Sequence, residues 1–538
     1  MSKISQKKTA HSRPAQLIQD VTRARFDKLA KPLRTQLLGL QDQLKAEDFS
    51  VLLLFVGSAI AGKNESLNLI TEWLDPRWII TRAYGPPTTE ELQRPEYWRY
   101  WRDLPPKGQI GLFAGSWYHN PVHDLANGEI GERTFYRALD EVRAFERTLA
   151  ADGTLILKFW LHMEKAALKK RMKSFEKDKA NSWRVSDLDW QHLKQHGKLR
   201  KAHELAANYT DVGDGHWIRV DGGDPRRRAL TILTTIRDAL TAHIKARRKR
   251  RREVLKTAQV MDQIRRDHLT DIAANLQKLE RQSEAAAAKK PLSSSTQTGD
   301  GRGLILDQLN LSSRLGTEEY QRNLKERRAE LGKRFRRQHF AGKSAIILFE
   351  GPDAAGKGGA IRRLTASMDA RDYRVIQVAA PSEEERAQHY LWRFWKHLPQ
   401  AGRLTIFDRS WYGRVLVERV EGFAQPGEWM RAYDEIVDFE RQLTSSGLVV
   451  VKFWIHISKD EQFRRFKERE TISYKKWKLT AEDWRNREKW NDYSVAVDEM
   501  VTRTSTDLAP WTLVEGNDKK FARIKVMDTV CRALRRAS

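Results

Sequence analysis

At 538 residues, 40% of them hydrophobic and 31% charged, the chain is long enough for two or more globular domains with cores of their own. No apolar run approaches the ~20 residues of a membrane span, so no membrane partner is expected. A net charge of +27 points instead to a polyanionic partner: nucleic acid, an anionic surface or a phosphate polymer.

The N-terminus, Met1 to Pro14, is basic and lacks an apolar signal core, and the single cysteine, Cys531, excludes internal disulfides. Both features fit a cytoplasmic protein. A basic helical pattern, Pro14 to Ala46, leads into a strand at Val51–Phe55, and further buried strands are predicted near Gln109–Phe113 and Thr154–Leu161. A long helix, Gly131–Ala150, separates those two. A basic helical stretch, a short strand near Trp217–Val220 and a closing helix follow. The run Lys245–Arg252 (KARRKRRR) reads as a solvated helix end before a linker, with a nucleic-acid patch as the rival. A charged helix, Glu253–Gln282, and a segment rich in Ala, Ser, Gly and Pro, Glu284–Gly303, read as the connection to a second half.

That second half repeats the first. Shifting the sequence by 294 residues places Leu52–Lys63 on Ile346–Lys357, Phe113–Tyr118 on Phe407–Tyr412 and Leu155–His162 on Val449–His456 without a gap. A helix at Thr317–Gln338 and strands at Ala345–Phe349, Arg403–Phe407, Leu448–Ile455 and Thr512–Val514 are expected in the same order. Alternating helices and buried strands predict two α/β domains with parallel sheets. The division is 1–245, a linking region 246–303, and 304–538.

Within the second copy, an apolar strand runs into Gly351-Pro352-Asp353-Ala354-Ala355-Gly356-Lys357 and then into a helix. A glycine-bounded loop between strand and helix lets backbone N–H groups converge on a phosphate, and Lys357 adds a full charge. Gly351, Ala355, Gly356, Lys357 and Gly358 are therefore expected to bind phosphate. Gly358 stands where a Ser or Thr would reach a metal in the usual loop, and Asp353 places a negative charge beside the anions. That charge is tolerable with a cation between, so Asp353 is a candidate metal ligand. Asp408, at the carboxyl end of a buried strand in TIFDRSWYGR, is the second candidate ligand; Arg409 and Arg414 can offset the repulsion between two phosphates. A third basic element, Phe463–Lys478, carries Arg469, Lys475 and Lys478. The tryptophans are assigned to the core.

Comparison of the two copies says which can act. Asp353 faces Ala59, Asp408 faces Ala114, Arg409 faces Gly115 and Arg414 faces Asn120, while Lys63 keeps the place of Lys357. Loss of a single stabiliser of transition-state charge costs ~10²–10³ in rate, so the first copy is expected to be inactive.

The run GPDAAGKGG, the segment Leu391–Phe423 and the KKWK stretch resemble the polyphosphate kinase 2 family, and the tandem arrangement with a degenerate first copy is similar to its two-domain class, which makes ADP from AMP. The resemblance implies P-loop kinase-like α/β/α sandwiches with a helical lid, and Mg²⁺-dependent transfer of a phosphoryl group between inorganic polyphosphate and a nucleotide. It implies that Asp353 and Asp408 organise the metal, that Lys357 and Arg409 bind phosphates, and that Arg469 comes from the lid. A homodimer is expected, with the first copy serving folding, dimer contacts or a polyphosphate-binding surface. Polyphosphate:ADP or GDP transfer, an ATP-dependent small-molecule kinase and a nucleic-acid-binding protein are the alternatives; nucleic acid is not the expected partner.

Overall fold

The computed structural model describes residues 21–179, 181–211, 215–286, 304–471 and 481–536. In the first copy, β1 (Val51–Gly57), β2 (Ile79–Ala83), β3 (Ile110–Ala114), β4 (Leu155–His162) and β5 (Trp217–Asp221) form a sheet in the order β2-β3-β1-β4-β5. In the second, β6 (Ala345–Glu350), β7 (Tyr373–Gln377), β8 (Leu404–Asp408), β9 (Val449–His456) and β10 (Trp511–Glu515) give the matching order β7-β8-β6-β9-β10. Every pairing is parallel. The expected doubled α/β architecture is present.

The central strands explain why their sequences are unbroken apolar runs. β6 lies between β8 and β9, so side chains on both of its faces are buried. Alternate residues serve different layers: Ile346 and Leu348 join one core, and Ala345, Ile347 and Phe349 another. The first of these cores is continuous with that of the other copy, where Leu52, Leu54 and Val56 belong to the same cluster.

Two strands were not foreseen. β2 and β7 are sheet edges with one neighbour each, and no residue in either is fully buried. Without a buried face, neither shows the apolar pattern that marks the inner strands. The helix at the end of the first copy also differs from expectation. It runs unbroken from Pro225 to Ala286, 62 residues, with no separate helix starting at Glu253. Lys245–Arg252 is therefore not a helix end; nothing after Pro225 in this segment is a Gly or Pro that would stop it. Arg247 and Arg248 in the run pair with Asp48 and Glu47 of the first copy at 3.0 and 2.7 Å.

The copies meet through equivalent elements. Trp101 and Trp395, which occupy the same position in the repeat, stack with centroids 5.6 Å apart and planes 16° off parallel. Helices Glu132–Ala151 and Pro426–Ser445, also equivalent, lie across the same contact. Ion pairs Arg147–Asp438 at 3.1 Å and Arg431–Asp152 at 2.8 Å flank it. Self-contact of equivalent residues is the mark of a two-fold relation, achieved here within one chain.

Candidate active site

Parallel sheets of this order open a crevice at the carboxyl ends of the strands, where the chain leaves the central strand in opposite directions. The loops after β6 and β8 meet there. β6 and β8 are in register with Phe349 beside Asp408, so the turn at Gly351 and the Asp408–Arg409 turn emerge side by side. A side chain on Gly351 would run into the Ile455 carbonyl of β9, which accounts for that glycine.

Backbone strain concentrates at this crevice. Ala354 and Arg409 both have φ of 64°, and they are the two non-glycine residues with positive φ among the described residues. Their side chains and neighbours form one network. Arg409 Nη2 donates to Asp353 Oδ1 at 2.7 Å, and Asn486 Nδ2 donates to Asp353 Oδ2 at 3.0 Å. Burial opposes the charge on Asp353, yet Lys357, Arg409 and the Asn486 hydrogen bond hold its carboxyl below the usual value. Arg409 lies in the field of Asp353, Glu350 and Asp408, and those carboxylates raise its pKa against the opposing effect of burial. Glu350 ends β6 fully buried; burial raises its pKa although Ser410 donates to it at 2.8 Å.

The amides of Gly356, Lys357 and Gly358 are available to an anion, whereas that of Ala355, also expected to bind phosphate, donates to the Pro352 carbonyl at 3.2 Å. Gln462 donates to the Asp353 carbonyl at 3.1 Å, and Arg465 Nη1 donates to the Ala354 and Ala355 carbonyls at 2.8 and 2.9 Å. Since the peptide is planar and its C=O and N–H point oppositely, pinning these carbonyls outward turns the N–H groups of Ala354 and Gly356 inward. No backbone carbonyl among the described residues accepts from the N–H of Gly356, Lys357 or Gly358. Lys357 Nζ bends back to the Gly351 and Pro352 carbonyls at 2.7 and 3.2 Å, closing the loop.

The other expected residues are placed less centrally. Arg414 pairs with Glu418 at 3.0 Å and stacks on Tyr390, 4.6 Å from its ring centroid. Arg469 is half-buried near the end of helix Lys459–Thr471. Lys475 and Lys478 lie outside the described residues. Gln462 and Asn486 were missed, as were Glu421 and Tyr493, and Arg465, a member of the basic element Phe463–Lys478, was not assigned to the loop. Tyr493 donates to Glu421 and Asn486 at 3.4 and 3.5 Å, and buried Glu421 also pairs with Arg485 and Lys489 at 3.2 and 3.0 Å. Polar residues scattered along helices carry no local signature; their meaning appears once the helices dock.

The first copy folds the equivalent loop differently. Ala59–Ala61 winds into a 3₁₀ turn, and the Gly62 N–H donates to the Ala59 carbonyl at 3.1 Å, a bond with no counterpart at Gly356, while the Ala61 bond to the Ser58 carbonyl at 3.1 Å matches that of Ala355 to Pro352. Arg171, equivalent to Arg465, is diverted to Glu65 at 3.0 Å. With its Gly62 amide consumed and no carboxylate at position 59, this loop lacks the cradle. A deeper network is identical in both copies. Lys158 contacts Glu146, Tyr118 and the Thr210 carbonyl at 2.8, 3.2 and 3.0 Å; Lys452 contacts Glu440, Tyr412 and the Thr504 carbonyl at 2.7, 2.8 and 2.8 Å. Groups present in both loops' scaffolds hold the fold, while groups present in one loop alone are free to serve chemistry.

Known proteins bear on this division. The family model described as Polyphosphate kinase 2 (PPK2) matches residues 20–249 and 314–538, covering both copies. The chain belongs to the polyphosphate kinase 2 family. Among members of that family, a polyphosphate:AMP phosphotransferase of Pseudomonas aeruginosa is 45% identical over 95% of this chain and 96% of its own length. The same name is carried by a Pseudomonas syringae pv. tomato relative, 41% identical over 96% of each chain. A crystal structure described as a polyphosphate kinase 2 from Pseudomonas aeruginosa PA01 superposes with a TM-score of 0.80 at 40% identity, covering 97% of this chain and 98% of that one. Among the described residues, no helix is long and apolar enough to cross a membrane.

Proposed function

We propose that the chain transfers the terminal phosphoryl group of inorganic polyphosphate to AMP, giving ADP, and that the second copy alone performs the reaction. The observation that carries this reading is the Asp353–Arg409–Lys357 cluster beside a Gly356 amide with no internal acceptor, set against a first copy that has Ala59 and Gly115 in place of Asp353 and Arg409 and whose Gly62 amide is taken by the Ala59 carbonyl. The names carried by full-length relatives supply AMP and polyphosphate as substrates.

Two carboxylates suit Mg²⁺, which takes one or two from protein and fills its remaining positions with phosphate oxygens and water. Asp353 and Asp408 would hold it, and when bound it neutralises charge on the reacting phosphates. Among the described residues no cluster of three acidic, histidine or cysteine side chains forms a closed metal cage, which agrees with an ion shared with substrate. The amides of Gly356, Lys357 and Gly358 and the Lys357 ammonium bind the donor's terminal phosphates. An AMP phosphate oxygen, already anionic and needing no base, forms the new bond to the terminal phosphorus. The bond to the bridging oxygen breaks in line, and the chain leaves one unit shorter. Arg409 swings between Asp353 and the transferring group, so its present ion pair stores it at the site until substrate arrives. Arg414, Arg469, Lys475 and Lys478 are assigned to holding the polyanion.

Comparing Asp408→Asn with Lys63→Ala in a Mg²⁺, AMP and polyphosphate assay tests the reading. Asp408→Asn should lower ADP formation at least ~10²–10³-fold, and Lys63→Ala should leave most of it. Equal losses would overturn the assignment to one copy. Turnover of ATP without polyphosphate would favour an ATP-dependent kinase instead, and preference for ADP or GDP as acceptor would favour that branch of the family.

A further inference from the structure

The crevice of the first copy is not filled in, although its loop has lost the cradle. A cavity of about 520 Å³ opens at the carboxyl ends of β1 and β4, within the ~300–1,000 Å³ range of small-molecule sites. Lys63 projects into it, and among the described residues its ammonium reaches a single acceptor, the Gly57 carbonyl at 3.4 Å. Its equivalent Lys357 makes two shorter bonds. Asp189 is the one carboxylate among the described lining residues. A lysine kept in a cavity this poor in acceptors is a cation waiting for an anion.

The rest of the lining says what the anion is attached to. Six histidines, His119, His123, His162, His192, His196 and His203, face the cavity. His119 and His123 lie 4.2 Å apart by ring centroid, His123 and His192 4.8 Å, and His203 stacks on Trp160 at 5.6 Å and 8°. At the equivalent positions of His119, His123, His192 and His203 the second copy has Gly413, Val417, Asn486 and Val497, so these four rings belong to the first copy alone, while His162, His196 and Trp160 keep aromatic counterparts in His456, Trp490 and Trp454. Burial pushes His119 and His203 down to about 4 and His123 to about 3, which leaves the rings neutral at physiological pH. Leu161, Leu168 and Met172 complete an apolar floor. A polyphosphate segment would meet Lys63 and Arg200 as its cations, with the Asp189 carboxylate opposing them, too little positive charge for so many anions. A single phosphate carrying a flat, neutral heterocycle matches both ends.

We propose that the cleft of the first copy binds a nucleoside monophosphate, with the phosphate on Lys63 and the base against the imidazole and indole rings. This binding does not depend on transfer at the second copy. The test is equilibrium titration of the full-length chain with AMP, without polyphosphate so that nothing turns over, repeated with Asp408→Asn, Lys63→Met and Leu188→Glu. Leu188 lines the mouth and is 56% exposed, so its substitution adds a repelling charge without disturbing the core. An AMP-binding component present in the wild type and in Asp408→Asn, and weakened about tenfold or more in Lys63→Met and in Leu188→Glu, supports the site. ADP formation retained by the latter two shows them folded. If no component depends on Lys63 or Leu188, or if tripolyphosphate binds there and AMP does not, the proposal fails.

Discussion

Asp353 sits between opposing influences, and the balance sets a pH dependence. Burial disfavours its charge, while Lys357, Arg409 and Asn486 favour it and win, so its pKa lies below the ordinary 3.8. A depressed carboxylate contributes stability that is complete above its unfolded pKa and is lost as pH falls through the folded one. Activity that depends on its charge should therefore not fade anywhere in the neutral range. Asn486→Leu removes one hydrogen bond and leaves burial in place, so the acid limb of kcat/KM should move to higher pH, with kcat/KM at neutral pH reduced about tenfold. A pH–rate profile with the acid limb unmoved would show that Asn486 does not hold this carboxylate. Arg465→Lys replaces a planar fork that grips two loop carbonyls at one nitrogen and the Gly516 and Asn517 carbonyls at the other. Losing ~1–3 kcal/mol of such bonding should cost roughly ten- to hundredfold in KM for polyphosphate or in kcat, read by steady-state assay. Asp353, Lys357, Asp408 and Arg409 were legible because each lies in a short motif at the end of a strand. Gln462, Arg465 and Asn486 were not, because they reach the loop from helices more than a hundred residues away.

Strands and helices were legible in proportion to how much they bury. β1, β4, β6 and β9 are buried and largely apolar, and their sequences announced them; β2 and β7 hang at sheet edges and did not. The buried Lys452–Glu440 pair is a different omission. A lysine in the strand VVVKFWIH reads as an interruption until Glu440, on helix Pro426–Ser445, is seen 2.7 Å away with both side chains at most 2% exposed. The pair ties helix to strand, and Tyr412, directly after the Asp408–Trp411 turn, completes it. Lys452→Met leaves Glu440 buried without a counter-ion and should destabilise the second copy by about 3–5 kcal/mol. Replacing both partners together should recover much of that loss, as measured by denaturant unfolding. The recurrence of the pair in the first copy, which has Ala59 and Ala114 where the second has Asp353 and Asp408, assigns it to architecture. Lys158→Met should thus cost similar stability and spare ADP formation per folded molecule.

At the scale of the whole molecule, the two copies are joined as closely as subunits. The core that includes β1 side chains of one copy and β6 side chains of the other passes through Trp101 and Trp395, both fully buried. A backbone bond from the Lys107 N–H to the Ala387 carbonyl at 2.8 Å, and a side-chain bond from Gln388 Nε2 to the Leu104 carbonyl at 3.2 Å, stitch the loops beside them. A first copy held this tightly is a structural partner for the second, because removing it would expose the apolar face that the second copy now buries. Trp395→Ala should remove the stacked ring and leave a cavity that Trp101 cannot fill, a loss of about 3–5 kcal/mol for a large aromatic in a core. Since the contact is shared, the cost falls on the coupling between copies as well as on each core. Calorimetry should show one cooperative transition for the wild type and two for Trp395→Ala, with the second-copy transition shifted to lower temperature. Arg431→Ala, which breaks the ion pair to Asp152 and leaves the rings stacked, should lower the single transition without splitting it. If Trp395→Ala melted as one unit at an unchanged temperature, the stacked pair would contribute nothing to the coupling, and the other contacts between the copies would be what holds them together.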